Sequence, residues 1–582
     1  MLDRAVPAAR PADLTTFTIK VDGEELPGTY RVVSIDIARA INRIATTSLV
    51  LYDGDPAAQD FPLSSGAFLV PGQAIEIEGG YAGDESLLFK GVITRQKIKA
   101  KRKGESLLFV ECKDAFYRLT LARKSCYFKD ISDSEVFESI VAEYGDLGIE
   151  VEATGGPRPD IVQYQVSDWD FIVSRAEALG LVCITEDGIL KVTKPDLSQE
   201  PMASVAYGTG IYDLEMEMDG RLQTETVTAA SWDMVNQEVL SSELTEIEAP
   251  AQGNIDGSTL AQEVGAENIE LQHGGVLSQQ ELDTWAEAQL RKSRLAKIRG
   301  TVRFQGNGDV KTGTLIDLGG LGERFNGTAY VSGVRHALGG GDWETSIQVG
   351  FDPNWHYQNF PINAAPAAGF YPAINGLQIG VVTQLQDDPA GEDRILVRLP
   401  VINPEAEGIW TRIATLDAGE NRGTVFRPEI GDEVIVGFVN DDPNQAVILG
   451  MLHSSAKPAP LATSDDNHEK GLVTRSEMKV IFNDDEVSLT IETPKGNRIV
   501  LSEKEGAVTV TDENRNTIIL DSNGIALESP ADVVVKATGD VRIEGMNVQI
   551  KASANLSAEG SAGAELKSGG NTVVKGSLVQ IN

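Results

Sequence analysis

From Val533 to Asn582 the chain reads VVVKATGDVRIEGMNVQIKASANLSAEGSAGAELKSGGNTVVKGSLVQIN. Pairs of small or apolar residues recur at Val533/Val535, Val541/Ile543, Val548/Ile550, Leu556/Ala558, Ala564/Leu566 and Thr572/Val574, with starts 8, 7, 8, 8 and 8 residues apart. A charged residue follows each pair: Lys536, Glu544, Lys551, Glu559, Lys567 and Lys575. Gly, Ser, Ala and Asn fill the turns. A short fixed period of alternating strand with small turn residues marks a β-helix or solenoid. One copy offers only about two core side chains per repeat, each worth about 1.5–3 kcal/mol when buried. That barely offsets the entropy of ordering some eight residues, and it leaves two bare strand edges. Three chains wound about one axis remove both problems. The expectation is an intertwined trimeric β-helix with Val533, Val535, Val541, Ile543, Val548, Ile550, Leu556, Leu566 and Val574 in its core and trimer interface.

Alternation extends upstream to Met478. Before it come a Pro- and Ala-bearing linker, 453–475, and about 80 residues of short strands at Leu377–Gln384, Ile395–Leu399, Gly408–Ala414, Glu433–Asn440 and Ala446–Leu449. Five short strands without a helix suit a small closed barrel of OB type. A second linker, PINAAPAAGFYPAING (361–376), separates this barrel from a mixed N-terminal region, 1–360. There, alternating runs at Thr18–Val21, Ile75–Glu78, Leu87–Ile93 and Leu107–Cys112 read as strands. Ser132 with Glu135, Ser167 with Asp170 and Ser278 with Glu281 read as capping boxes opening three helices. The acidic stretch 240–275 reads as a long surface loop, a candidate interaction element. The fold class is therefore mainly β: an α+β N-terminal region with β-barrels, an OB barrel and the C-terminal β-helix of 476–582.

The 582 residues carry 50 Lys and Arg against 87 Asp and Glu, a formal charge of −37. Such a chain is poorly suited to a phosphate backbone or an anionic membrane surface, so nucleic acid is not an expected partner. Three cysteines, Cys112, Cys126 and Cys183, are too few for a disulfide framework and read as reduced core residues. The N-terminal MLDRAVPAARPADL lacks an apolar signal region, and no stretch approaches 18 apolar residues. Synthesis in the cytoplasm without a signal peptide is expected.

Five histidines, His273, His336, His356, His453 and His468, show no ligand spacing, and no nucleophile elbow, Walker A loop or HExxH motif occurs. No catalytic, metal or cofactor site is expected. Asp512–Asn516 opens like a calcium loop, but Thr517 stands where glycine is needed, so it reads as a turn.

The segment from Pro428 to Leu452, PEIGDEVIVGFVNDDPNQAVILGML, resembles the OB-fold signature of VgrG proteins and phage central spikes. The stretch TPKGNRIVLSEKEGAVTVTDENRNTIILDSNGIALESPADVVVKA (493–537) is similar to the start of the spike in that family. PGQAIEIEGGY…LLFKGVI (71–93), SDWDFIVSRAEALGLVC (167–183) and FNGTAYVSGVRHALGGGDWETSIQVGF (325–351) resemble its hub, in family order. The resemblance implies a homotrimeric baseplate hub and membrane-puncturing spike of a contractile injection system, free, phage-like or of type VI secretion. Its hub joins the inner tube or a tube-initiator protein. Baseplate proteins surround it, cargo effectors ride with it, and sheath contraction drives it through a target membrane. A PAAR-like tip protein would dock at Leu578, Val579 and Ile581. Some phage spikes carry a lysozyme domain before the needle, but 453–471 is too short to hold one. Some bind a tip metal through histidines, but none follows His468. Two other readings are open: a receptor-binding trimeric fibre or adhesin, and a spike with peptidoglycan-hydrolase activity.

Overall fold

The computed structural model describes residues 14–266 and 268–581. The segment in which no signal region was read lies almost wholly outside them. The chain divides into two compact units, Met1–Ala373 and Ile374–Asn582.

The first unit is built on a thirteen-stranded sheet. Its main path runs from Ile211–Met218 through Ile298–Gln305, Asp342–Val349 and Gly327–Gly339 to Val32–Ala40, and on through Thr46–Tyr52, Leu107–Lys113, Asp84–Lys99 and Ala74–Tyr81 to Thr15–Val21 and Glu24–Glu25. The expected strands are present. Ala203–Ala206 and Leu315–Gly319 branch from this path at Gly327–Gly339. The decisive pairing is antiparallel between Gly327–Gly339 and Val32–Ala40, from Gly333 opposite Ala40 to Gly339 opposite Ser34. It joins segments some 300 residues apart. Alternation then fills two cores, one around Ile35, Ile37, Leu49, Ile77 and Phe89, the other around Val302, Phe304, Val331 and Ile347.

Two smaller bodies are inserted. One packs helices α1 (Asp133–Ala142) and α2 (Asp168–Ala178) with strands Gly148–Val151, Val182–Glu186 and Ile189–Thr193 over Phe137, Ile140, Trp169 and Ile172. Ser132 and Glu135 form the full capping box of α1. At α2 the Ser167 Oγ accepts from the Asp170 amide, while the Asp170 carboxylate bonds back to the Ser167 hydroxyl rather than to its amide. Asp is one methylene shorter than Glu, so only half the box forms. Gly180, at φ +71°, ends the turn after α2.

The other body corrects the loop read at 240–275. Glu238–Leu244 is a strand, Gly257–Val264 is a helix (α3), and Asn268–His273 is a strand parallel to Thr226–Asp233. Helix α4 (Gln279–Leu295), capped by Ser278 and Glu281, covers one face of this sheet through Leu282, Ala286 and Leu290. Helix α3 was hidden because its signals are turn-like: Asp256 caps its N-terminus and Gly265, in the left-handed region, ends it. A short helix, α5 (His356–Asn359), closes the unit.

Cys112 and Cys183 are buried, as read, but Cys126 is exposed. It lies on Arg123–Ile131, half of a two-stranded ribbon with Arg158–Ser167. A two-stranded ribbon has too little cover to bury both faces.

The second unit opens with a closed five-stranded barrel in the order Gln378–Gln384, Ile395–Arg398, Ile409–Ile413, Ala446–Met451, Glu433–Phe438. Its core is Val382, Ile395, Val397, Val434, Val436 and Ile448. Gly408, at φ +115°, passes the Val397 carbonyl so closely that an added Cβ would lie 2.1 Å from the oxygen. The loop at 388–394 is knotted by the Asp388 carboxylate. It accepts from the Ala390, Glu392 and Arg394 amides and from the Arg394 guanidinium, which holds its pKa far below the usual range.

Candidate assembly interface

Beyond the barrel, seven strands of five residues each form an antiparallel meander: Glu469–Val473, Lys479–Asn483, Ser488–Glu492, Arg498–Ser502, Ala507–Thr511, Thr517–Asp521 and Gly524–Glu528. The first of them falls inside the segment read as linker. From Lys479 to Thr517 the strands start 9, 10, 9 and 10 residues apart, because four-residue turns alternate with five-residue ones. This hairpin period of 19 residues was legible in the sequence and was missed. It lies in the spacing of TPKGN against DENRN rather than in the apolar residues alone.

Register sorts the side chains. One face carries two apolar columns. The first is Val480, Ile491, Ile499, Val510, Ile518 and Leu527; the second is Phe482, Leu489, Leu501, Val508, Leu520 and Ile525. The opposite face carries Lys479, Glu492, Arg498 and Glu528 along one margin and Ile481, Thr490, Val500, Thr509, Ile519 and Ala526 at its centre. Turns are braced internally. Asp512 accepts from the Asn514 and Asn516 amides and the Asn516 side chain, which lowers its pKa. Lys504 reaches Glu486 at 3.2 Å across neighbouring turns. The segment 512–516 is thus a turn, as read.

The apolar face stands open to solvent. Leu501 is 43% exposed, Ile499 40% and Phe482 51%. A sheet ordinarily buries one face against another layer, and patches beyond a few hundred Å² mark contact surfaces. A groove of about 580 Å³ runs along Ile491, Ile499, Val510, Ile518 and Leu527 to Val533. Val533 is the one core residue read from the sequence that this groove includes. From residue 531 to 581 the described residues form no strand within the chain. Val533, Val535, Val541, Ile543, Val548, Ile550, Leu556, Leu566 and Val574 are 54–80% exposed, and Leu578, Val579 and Ile581 are exposed as well. A single chain therefore brings the octad residues into no common core.

The first unit contains a buried polar cluster that sequence reading did not find. Glu177 on α2 accepts from Asn42 Nδ2 (3.1 Å), Lys292 Nζ (2.9 Å) and the His356 amide (2.6 Å). His356 Nε2 bonds Asp170 Oδ1 at 2.9 Å, which helps hold the Asp170 pKa down. These bonds tie α5 to α2 and α4. His336 lies elsewhere, its Nδ1 3.0 Å from Thr345 Oγ1, with burial pushing its pKa down to about 3. Among the described residues no three His, Cys, Asp or Glu side chains converge to hold a metal ion.

Residues 11–339 match the family model of the Alg8 N-terminal domain, and residues 378–453 match that of the type VI secretion system/phage-baseplate injector OB domain. The chain is 32% identical over 117 residues to the type VI secretion system spike protein VgrG3 of Vibrio cholerae, covering 18% of this chain and 11% of that one. It is 34% identical over 73 residues to the actin cross-linking toxin VgrG1 of Vibrio cholerae, covering 12% and 6%. The chain thus spans about a tenth or less of the length of these curated relatives. Among solved structures, a 43 kDa tail protein of a Shewanella oneidensis prophage is similar at 14% identity and a TM-score of 0.45, over 58% of this chain and 98% of that one. With one model covering more than half its length and the other its barrel, the chain belongs to the Alg8 N-terminal domain family and carries the injector OB domain of type VI secretion systems and phage baseplates, as its VgrG-like motifs implied.

Proposed function

We propose that this chain is the hub and central spike of a contractile injection system and acts as a homotrimer without catalytic activity. The observation that carries the proposal is the C-terminal half of the second unit: a meander with one bare apolar face, followed by about fifty residues of octad repeat with no ladder of their own. Three copies convert both liabilities into structure. Each bare face meets two others around a dry axis, and each unpaired edge bonds to a neighbour. The octad residues from Val533 to Val574 then form the needle core.

On this reading residues 1–360 are the hub, 377–452 the collar barrel and 476–582 the spike, with linkers at 361–376 and 453–475. The hub joins an inner tube or tube-initiator protein and the surrounding baseplate. Leu578, Val579 and Ile581 dock a PAAR-like tip protein. Sheath contraction does the work of puncture, and the spike supplies stiffness. The protein is made in the cytoplasm and leaves with its particle; no helix among the described residues is long and apolar enough to cross a membrane.

The test is the native mass of the purified chain by light scattering after size exclusion. The chain mass is 62.5 kDa, so a value near three times that, persisting in mild denaturant, is expected. A monomer would refute the interwound needle. A trimer placed at the periphery of a particle rather than on its axis would favour a receptor-binding fibre, and lysis in a peptidoglycan zymogram would restore the hydrolase reading.

A further inference from the structure

From Gln223 to Leu290 the chain holds thirteen Asp and Glu and no Lys or Arg. These residues build most of the inserted body of three strands, α3 and α4. One face of its sheet is covered by α4; the other is exposed at Trp232, Val239, Ser241, Glu243, Glu270 and Gln272. On the free face, Trp232 stands directly opposite Val239 at the far end of a hairpin. The hairpin's turn adds Met234 and Val235, and all four apolar side chains are exposed, Val235 at 85%.

The turn is built to present them. Asp233 accepts from the Val235 amide (2.8 Å) and from Asn236 Nδ2 (2.8 Å), and Gln237 Nε2 donates to the Met234 carbonyl (2.7 Å). These bonds hold the turn, with its exposed Met234 and Val235, in one shape. Preorganisation of this kind lowers the entropy of docking. An exposed aromatic with neighbouring aliphatics is the composition of an interface anchor.

Charge selects the occupant. Glu243 and Glu270 both stand opposite Thr228, on the same face as Trp232 and Val239, while Glu238 pairs with Asp233 on the face that α4 covers. Among the described residues no three acidic or imidazole groups converge on one point, so the carboxylates are spread as over a surface and do not cage an ion.

We propose that the tip Trp232–Val239 is a docking knob for a partner protein whose surface offers an apolar socket rimmed by Lys and Arg. This does not rest on the spike reading. The full chain, carrying the photo-crosslinker benzoylphenylalanine at Val235, is produced in its own cells and irradiated, and the adducts are mapped by mass spectrometry. The adduct falls on one partner, at an apolar site flanked by Lys or Arg. Trp232→Ser with Met234→Ser, and separately Glu243→Lys with Glu270→Lys, each lower its yield about tenfold or more. Both pairs lie at exposed positions, and circular dichroism checks that the fold is kept. No adduct, an adduct on a second copy of this chain or on an acidic surface, or yields unchanged in folded variants would overturn the proposal.

Discussion

Leu501→Asp tests the bare meander face most directly. Leu501 sits mid-column between Leu489 and Val508, and 43% of it is exposed in one chain. A fully buried leucine is worth about 1.5–3 kcal/mol, so the share still open corresponds to about 1 kcal/mol per copy gained on assembly. Leu501→Ala therefore weakens a trimer by about 3 kcal/mol over three copies. The aspartate is more disruptive still. Withdrawing a carboxylate from water costs several kcal/mol per ion, and three would face one another across the axis. The sum reaches about 10 kcal/mol or more, comparable to the whole stability of a domain, and the three-chain spike does not form. Thr509→Asp is the control. Thr509 pairs with Val500 and Ile519 on the opposite face and is half-buried, so an added charge there costs about 1 kcal/mol, far below that sum. The assay is native mass by light scattering together with the guanidinium midpoint. Leu501→Asp is expected to lose the trimer while Thr509→Asp keeps it. A Leu501→Asp protein of wild-type mass and midpoint, with Thr509→Asp disrupted, would show that the faces are assigned the wrong way round.

Three further outcomes follow from the first unit. Glu177→Gln leaves Lys292 buried without its carboxylate and destabilises the unit by about 3 kcal/mol, and Lys292→Met in the same chain restores part of the loss; equal midpoints for wild type and Glu177→Gln in chemical denaturation would refute the coupling. His336 has a folded pKa of about 3 against 6.5 in the free side chain, so the unfolded state takes up the proton first and stability falls as pH drops below 6.5. At pH 5 the loss is about 2 kcal/mol, and His336→Asn removes that part of the pH dependence; parallel stability profiles for the two proteins would refute it. A soluble maleimide labels one cysteine per native chain, Cys126, while burial shields Cys112 and Cys183 and raises their pKa values; two or three labels without denaturant would contradict the packing.

Most local structure was legible from residue order. Period-two alternation announced the five barrel strands, and Ser132, Ser167 and Ser278 announced three helices, because strand faces and helix caps depend on residues two to four apart. Helix α3 escaped because its caps are turn residues. Glu177 escaped because a lone glutamate on a helix carries no sign that Asn42, Lys292 and His356 will converge on it.

The sequence by itself determined the alternating strands, the octad period with its unsatisfied apolar pairs, the hub-like and OB motifs in order, and the acidity of 223–290. Only the tertiary structure decided that residues 34–40 pair with residues 333–339, that an apparent loop supplies a parallel strand to an acidic lobe, that Cys126 faces solvent, and that the meander leaves one face bare. The first set rests on side-chain periods a few residues long. The second depends on which distant edges meet once chain entropy and burial are balanced over hundreds of residues, and no local pattern encodes that choice.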